Sequence, residues 1–262
     1  SNWLMARTEF ALATEMRKVR VSDFASIAEM RGFLQERLAR IRDEQHHGQV
    51  EDFRRGRFAS NSRFVRVGGG SLGGKGRGLA FMYELLSRAN VDASLEGVRV
   101  FVPAAAVLAT GVFDRFLDRH DLREFALREE DDAAILARFL EAPLPDDAVA
   151  DLDAFLQRID YPIAVRSSSL LEDSHHLPAA GIYPTFMLPN VQADAADRLS
   201  ALMDAVRHIY AATFFSPAKT YFASTSSRVE EEKMAVVIQQ IVGKRHGDVV
   251  YPHLAGVAQS HN

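Results

Sequence analysis

Between Gly68 and Gly78 the chain reads GGGSLGGKGRG, and seven of its 16 glycines fall in these eleven positions. At an average glycine frequency of roughly 7%, about one would be expected there. So much bare backbone, with one lysine in its middle, stands between an apparent strand and an apparent helix. It runs from an alternating segment, Arg63–Val67, that reads as a short strand. It leads into Gly76–Ala89, which reads as a helix with Leu79, Met82, Leu85 and Leu86 on one side. Gly69 through Lys75 matches a P-loop, except that Gly76 stands where the pattern needs a hydroxyl for magnesium. Gly68, Gly70 and Gly73 match G-x-G-x-x-G, but no acidic residue ends a second strand at the required place. A phosphate loop of another kind is the third reading: bare backbone lets N–H groups approach an anion, and Lys75 adds a mobile charge. A flexible linker is the fourth. It would carry serine and threonine throughout and would not lead straight into an amphipathic helix.

The rest of the chain supports a folded domain with a buried core. Its 262 residues suit one large domain or two modest lobes, and a hydrophobic content of 47% with 25% charged residues is ordinary for a chain that buries a core. A net charge of -4 argues against a dedicated nucleic-acid surface. There is no cysteine, so disulfides and thiolate zinc sites are excluded. No run of 18 apolar residues marks a membrane span; the expected location is the cytoplasm, with neither membrane nor nucleic acid as partner. Ser1-Asn2-Trp3 lacks both an initiator methionine and a signal pattern, so both ends are expected to be cut from a longer protein.

Along the chain, residues 3–20 read as a helix with Phe10, Leu12 and Met16 on its apolar side. A second helix is expected from about Asp23 to Gln45, on the stripe Ile27, Met30, Leu34, Leu38, Ile41. A linker follows, so the expected division is a helical extension over 1–60 and a larger domain over 61–262. In that domain "VRVFVP" (98–103) reads as a strand stopped by Pro103. Residues 104–119, 121–141 and 147–159 read as helices. Residues 161–169 and 181–188 read as strands, 192–214 and 216–223 as helices, and 233–243 as a central strand rich in β-branched residues. Strands and helices without strict βαβ alternation imply an α+β fold.

A second informative stretch is AVRSSSLLEDSHHLPAAGIYPTF, residues 164–186. Arg166 ends an apolar strand with a guanidinium suited to bidentate phosphate binding, beside the hydroxyls of Ser167, Ser168 and Ser169. Glu172 and Asp173 could cap a turn or hold a metal-bound water. The adjacent pairs His46–His47 and His175–His176 diverge and read as surface residues, and Asp131 and Asp132 read as a helix start favoured by the dipole.

Four motifs then share one order. "GGKGRGL" resembles the G-G-K-G-x-x-L of the pyruvate phosphate dikinase and phosphoenolpyruvate synthase family. "AVRSSSLLEDS" with the following "AAG" and Tyr-Pro-Thr is similar to that family's A-V-R-S-S-A-x-x-E-D…A-G-x-x-x-T. "VVIQQIVG" resembles its V-x-V-Q-x-M-V strand, and "AGVAQSHN" its S-G-V-x-F-T-x-N segment. Together they cover about residues 64–262. The resemblance implies an ATP-grasp-like nucleotide-binding domain that uses ATP and Mg2+. It implies that Lys75 and Arg166 contact the ATP phosphates and that Gly73, Gly74 and Gly76 shape the loop. It puts Ser168 and Thr185 near phosphate or ribose, Tyr183 beside the adenine, and Gln239, Gln240, Ile241 and Val242 in the hinge strand whose backbone reads the adenine edge. Phosphoryl transfer needs charge neutralisation and positioning more than covalent help, which suits a lysine, an arginine and a row of N–H donors.

Gln259 and His261 stand where the family usually has an aromatic and a basic residue. The resemblance places the family's metal-binding acid, catalytic glutamine, phosphohistidine domain and acceptor-binding barrel beyond residue 262, as partner domains of a longer parent. Residues 1–60 have no counterpart in the family's N-terminus. The expected activity is the ATP-binding portion of a dikinase that passes phosphoryl through a phosphohistidine to pyruvate or a similar acceptor. Two alternatives stay open: a non-catalytic nucleotide-sensing module, and an antibiotic-type phosphotransferase of the same superfamily.

Overall fold

The computed structural model describes residues 19–46, 50–56, 63–89, 97–169, 181–192, 194–225 and 228–257. The expected helix over 3–20 falls almost wholly outside them, as do Glu172, Asp173, His47, the His175–His176 pair, Gln259 and His261. The chain divides by its internal packing into Ser1–Gly48 and Gln49–Asn262.

Among its described residues the first unit holds one long helix, α1 (Ile27–His46), which starts where the apolar stripe does, four residues after the expected Asp23. Ser26 sets the boundary. Its Oγ accepts from Glu29 N–H at 3.1 Å, and Glu29 Oε2 accepts from Ala25 N–H at 2.8 Å. The Ser26 bond satisfies one donor that the first helical turn leaves open, and Glu29 ties back the residue before the cap. Phe24 and Phe33 meet with ring centroids 5.3 Å apart, and the Arg37 guanidinium lies 5.3 Å from the Phe33 ring.

The second unit is built on a six-stranded mixed sheet in the order β1-β2-β3-β6-β4-β5. The strands are β1 (Glu51–Asp52), β2 (Phe64–Val67), β3 (Ala105–Leu108), β4 (Ile163–Ser169), β5 (Thr185–Leu188) and β6 (Met234–Gln240). The helices are α2 (Gly73–Ala89), α3 (Thr110–Arg119), α4 (Leu122–Arg128), α5 (Asp132–Glu141), α6 (Asp146–Leu156), α7 (Ala195–Ala212) and α8 (Ser216–Ala223). A hairpin of β7 (Lys244–His246) and β8 (Val249–Tyr251) follows β6. β1, β2 and β3 run parallel, and β6 pairs antiparallel with both β3 and β4. This is an α+β arrangement. Among the described residues no helix is long and apolar enough to cross a membrane.

Three sequence expectations give way here. The run 98–103 is not a strand. The strand forms instead on Ala105–Leu108, inside the stretch expected to be helical. Alanine favours helix locally, but slots on both sides, beside β2 and β6, override that weak preference. The expected helix over 121–141 is two helices, parted at Glu129–Asp131. Asp131 caps the second, accepting from Ala133 N–H at 3.0 Å. Asp132 accepts from both Ser216 N–H and Oγ at the start of α8. These two acids therefore organise helix ends. Finally, α2 begins at Gly73 rather than Gly76, so Gly73, Gly74 and Gly76 belong to its first turn.

Side chains alternate across a strand, so the sheet has two different faces. Val65, Val67, Ala106, Leu108, Val165, Val236 and Ile238 join the larger core with Phe113, Phe116, Phe139, Tyr210 and Phe214 from the helices. Phe116 meets Tyr210 at 5.6 Å and Phe139 at 5.7 Å between centroids. The opposite face carries a smaller cluster of Phe64, Ala105, Val107, Ala235 and Val237, covered by Leu72, Leu79, Ala80 and Tyr83 from α2 and its approach.

Candidate functional site

The glycine segment leaves β2 and is fixed from two sides. On one side is the start of α3. Thr110 N–H donates to Ser71 O at 3.0 Å, Gly111 N–H to Gly69 O at 2.9 Å, and Ala109 N–H to Val67 O at 3.0 Å. Thr110 Oγ1 accepts from Ser71 N–H at 2.9 Å. Gly70 has φ +105°, and a Cβ there would lie 2.6 Å from Thr110 Oγ1. On the other side is β4. Ser168 Oγ donates to Leu72 O at 2.7 Å and accepts from Gly76 N–H at 2.9 Å. Gly73 has φ +70°, and a Cβ there would lie 1.7 Å from Ser168 O. These glycines are required by close approach and by left-handed backbone. That answers why Gly70 and Gly73 are bare; at Gly69 and Gly78 an added Cβ would meet nothing within 4 Å.

Strand alternation sorts the serine run. Ser168 pairs with Ala235 and Arg166 with Val237, so both lie on the face that α2 covers. Thr185 pairs with Arg166 and Met187 with Ala164, which extends that face across β5. Gln239 stands opposite both Ala105 and Ala164 on the same face. Ser167 and Ser169, opposite Val236 and Met234, go to the buried side. The structure thus brings together the first turn of α2, Arg166, Ser168, Thr185 and Gln239. Lys75 lies in that first turn, one residue before the Gly76 amide that Ser168 holds. Arg166 lies two residues before Ser168, roughly 7 Å along the strand.

Ser168 is fully buried and Thr110 is 4% exposed. Tyr183 packs against the larger core, apart from the α2 cluster.

At the other end of β6 a cavity of about 470 Å³ opens. Its lining includes Tyr161, Met187, Gln240, Ile241, Val242 and Arg245. Three of the four expected hinge residues therefore share one concavity, which sequence reasoning did not foresee with Tyr161 or Met187. Gln240 N–H donates to Ala104 O at 2.8 Å and Ile241 N–H to Pro162 O at 2.9 Å, so both amides are committed within the sheet. Burial first, and the Asp160 charge second, push the Tyr161 hydroxyl up to about 12, against the opposing pull of Arg63. It therefore stays protonated at neutral pH. Asn190, itself left-handed, donates to Tyr161 O at 3.1 Å and fixes the tyrosine backbone. From Gln240 to Val237, opposite Arg166, is three residues, roughly 10 Å along the strand.

Among the described residues no three histidine or acidic side chains converge to hold a metal ion. The Asp131 and Asp132 carboxylates are engaged at helix starts.

Thr110 was missed in the sequence, although a hydroxyl residue opening an apolar helical run was a local signal for a structured helix start. What it could not show was the distant loop that Thr110 binds.

Compared with known families, residues 70–262 match the model described as "Pyruvate phosphate dikinase, AMP/ATP-binding domain". No curated protein matches the chain.

Proposed function

This chain belongs to the family of the pyruvate phosphate dikinase AMP/ATP-binding domain, and on that premise we propose that it is the ATP-binding portion of a dikinase-type phosphotransferase. In this reading Lys75 and Arg166 bind the phosphates beside the first turn of α2, where helix amides and dipole favour an anion. The adenine lies in the cavity at Gln240–Val242, its edge met at Val242 because the two preceding amides are already committed. Met187 and Ile241 supply apolar walls, and the protonated Tyr161 hydroxyl remains a donor. Phosphoryl then passes through a histidine on another domain of the parent protein to pyruvate or a similar acceptor.

The observation that carries the reading is the Ser168 bridge. It joins the strand of Arg166 to the turn of Lys75, two cations about ninety positions apart in sequence, on the sheet face that α2 covers. Cations so gathered neutralise the charge that phosphoryl transfer spreads over oxygen.

Calorimetric titration of the chain with ATP and magnesium tests it. Lys75→Ala and Arg166→Ala are each expected to weaken ATP binding at least about tenfold, with circular dichroism unchanged. Wild-type affinity in both variants would remove these residues from a phosphate site. The departures Gln259 and His261 motivate a second reading, a nucleotide sensor without phosphoryl transfer. ATP binding by the full-length parent with no phosphohistidine formed would favour it.

A further inference from the structure

The hydroxyls of Thr110 and Ser168 bind the same glycine segment from opposite sides, and both side chains are buried. Buried donors and acceptors are retained where each has a partner, and here each partner is backbone of residues 71–76. Thr110 holds the entry of the segment through Ser71 N–H, while its own N–H returns to Ser71 O. Ser168 holds the exit through Leu72 O and Gly76 N–H. Ser71 completes the path, its Oγ accepting from Gly73 N–H at 3.2 Å. A chain with this many glycines has the largest conformational freedom to lose on ordering. If that ordering happened only when a ligand arrived, it would subtract from affinity.

Resting on the ATP reading above, we infer that Thr110 and Ser168 are positioning residues: a two-sided hydroxyl clamp that orders the glycine segment before nucleotide arrives and sets Lys75 against Arg166. Neither side chain touches the nucleotide. The clamp acts on the polyphosphate end of the ligand and not on its base, which is bound at the far end of β6. It therefore separates ligands by their phosphates. Removing either hydroxyl loosens the segment and weakens ATP, while adenosine, which makes only the base and sugar contacts, is retained.

The test uses the full 262-residue chain with Thr110→Val, Thr110→Ser and Ser168→Ala. Amide exchange without ligand reads the clamp itself. Exchange at Gly76 in Ser168→Ala, and at Ser71 in Thr110→Val, is expected to speed up roughly tenfold or more, while the sheet amides stay protected. Calorimetry then compares ATP with adenosine. Both variants lose about tenfold for ATP and less than about twofold for adenosine, and Thr110→Ser restores the wild-type pattern. Equal losses for both ligands, or no loss for either, overturn the positioning role while wild-type ATP binding keeps the nucleotide reading. Unchanged exchange at Gly76 and Ser71 also overturns it. A wild-type chain that binds neither ligand overturns the ATP reading and this role with it.

Discussion

The two faces of the central sheet do different work with the same strands. On one face β2, β3, β4 and β6 present Val65, Leu108, Val165, Val236 and Ile238 to a thick aromatic layer from the helices. On the other they present Ala105, Val107, Ala235 and Val237 to one glycine-led helix, and Arg166, Ser168, Thr185 and Gln239 share that side. The first face accumulates apolar area, which stabilises the domain in proportion to what it removes from water. The second trades that area for small residues that let backbone come close. In the proposed reading, stability and phosphate binding are thereby kept on opposite sides of one layer, one residue out of phase.

Substitutions can break or sharpen this contrast. The largest effect is expected at Phe116, which is fully buried between Tyr210 and Phe139. Phe116→Ala should cost about 4 kcal/mol in chemical denaturation and leave ATP affinity of the remaining folded protein unaltered. An exception on the thin face comes next. Gly73→Ala puts a methyl against the Ser168 carbonyl at a left-handed position. It should cost about 3 kcal/mol and weaken ATP as well, unlike any substitution on the thick face. A loss of stability without a loss of ATP affinity would detach the glycine turn from the site.

Val236 and Val237 make the most direct comparison, being adjacent, both fully buried and on opposite faces. Val236→Ala is expected to cost about 2 kcal/mol and Val237→Ala about 1 kcal/mol, measured by urea midpoints at constant slope. Equal costs would show that the two faces are energetically alike.

The smallest effect concerns pH. His208 stands on α7 between Phe186, at 5.0 Å, and Phe215, at 6.0 Å, and burial lowers its pKa below the ordinary 6.5. The folded chain therefore holds this proton less tightly than the unfolded chain does. Its contribution is fully present above pH 6.5 and declines as pH falls through the folded value. Urea midpoints taken at intervals from pH 7.5 downward should decrease, with a shallower decrease in His208→Gln. An identical slope in the variant would assign the pH response to other groups.

Much of the site was legible in local patterns. Glycine crowding, the lone Lys75 and the Arg166–Ser169 strand end were visible as types of chemistry, whereas Ser168 was told apart from Ser167 and Ser169 only by the strand pairing. The helix after the loop was visible too, but its first turn was not, because glycine propensity argues against a helix that packing with β4 enforces. The alanine strand was misread for a similar reason: its preference is local, whereas its slots beside β2 and β6 are not.

What the sequence determined by itself was therefore composition at short range: which residues could approach an anion, which stretches alternated, and which motifs stood in which order. Only the tertiary structure decided that Thr110 meets Ser71 across 39 positions and that Ser168 meets Gly76 across 92. Each of those bonds is a single buried hydroxyl satisfying one backbone group. Such a pairing leaves no periodic trace in the chain, because its geometry is created by the order in which strands enter the sheet.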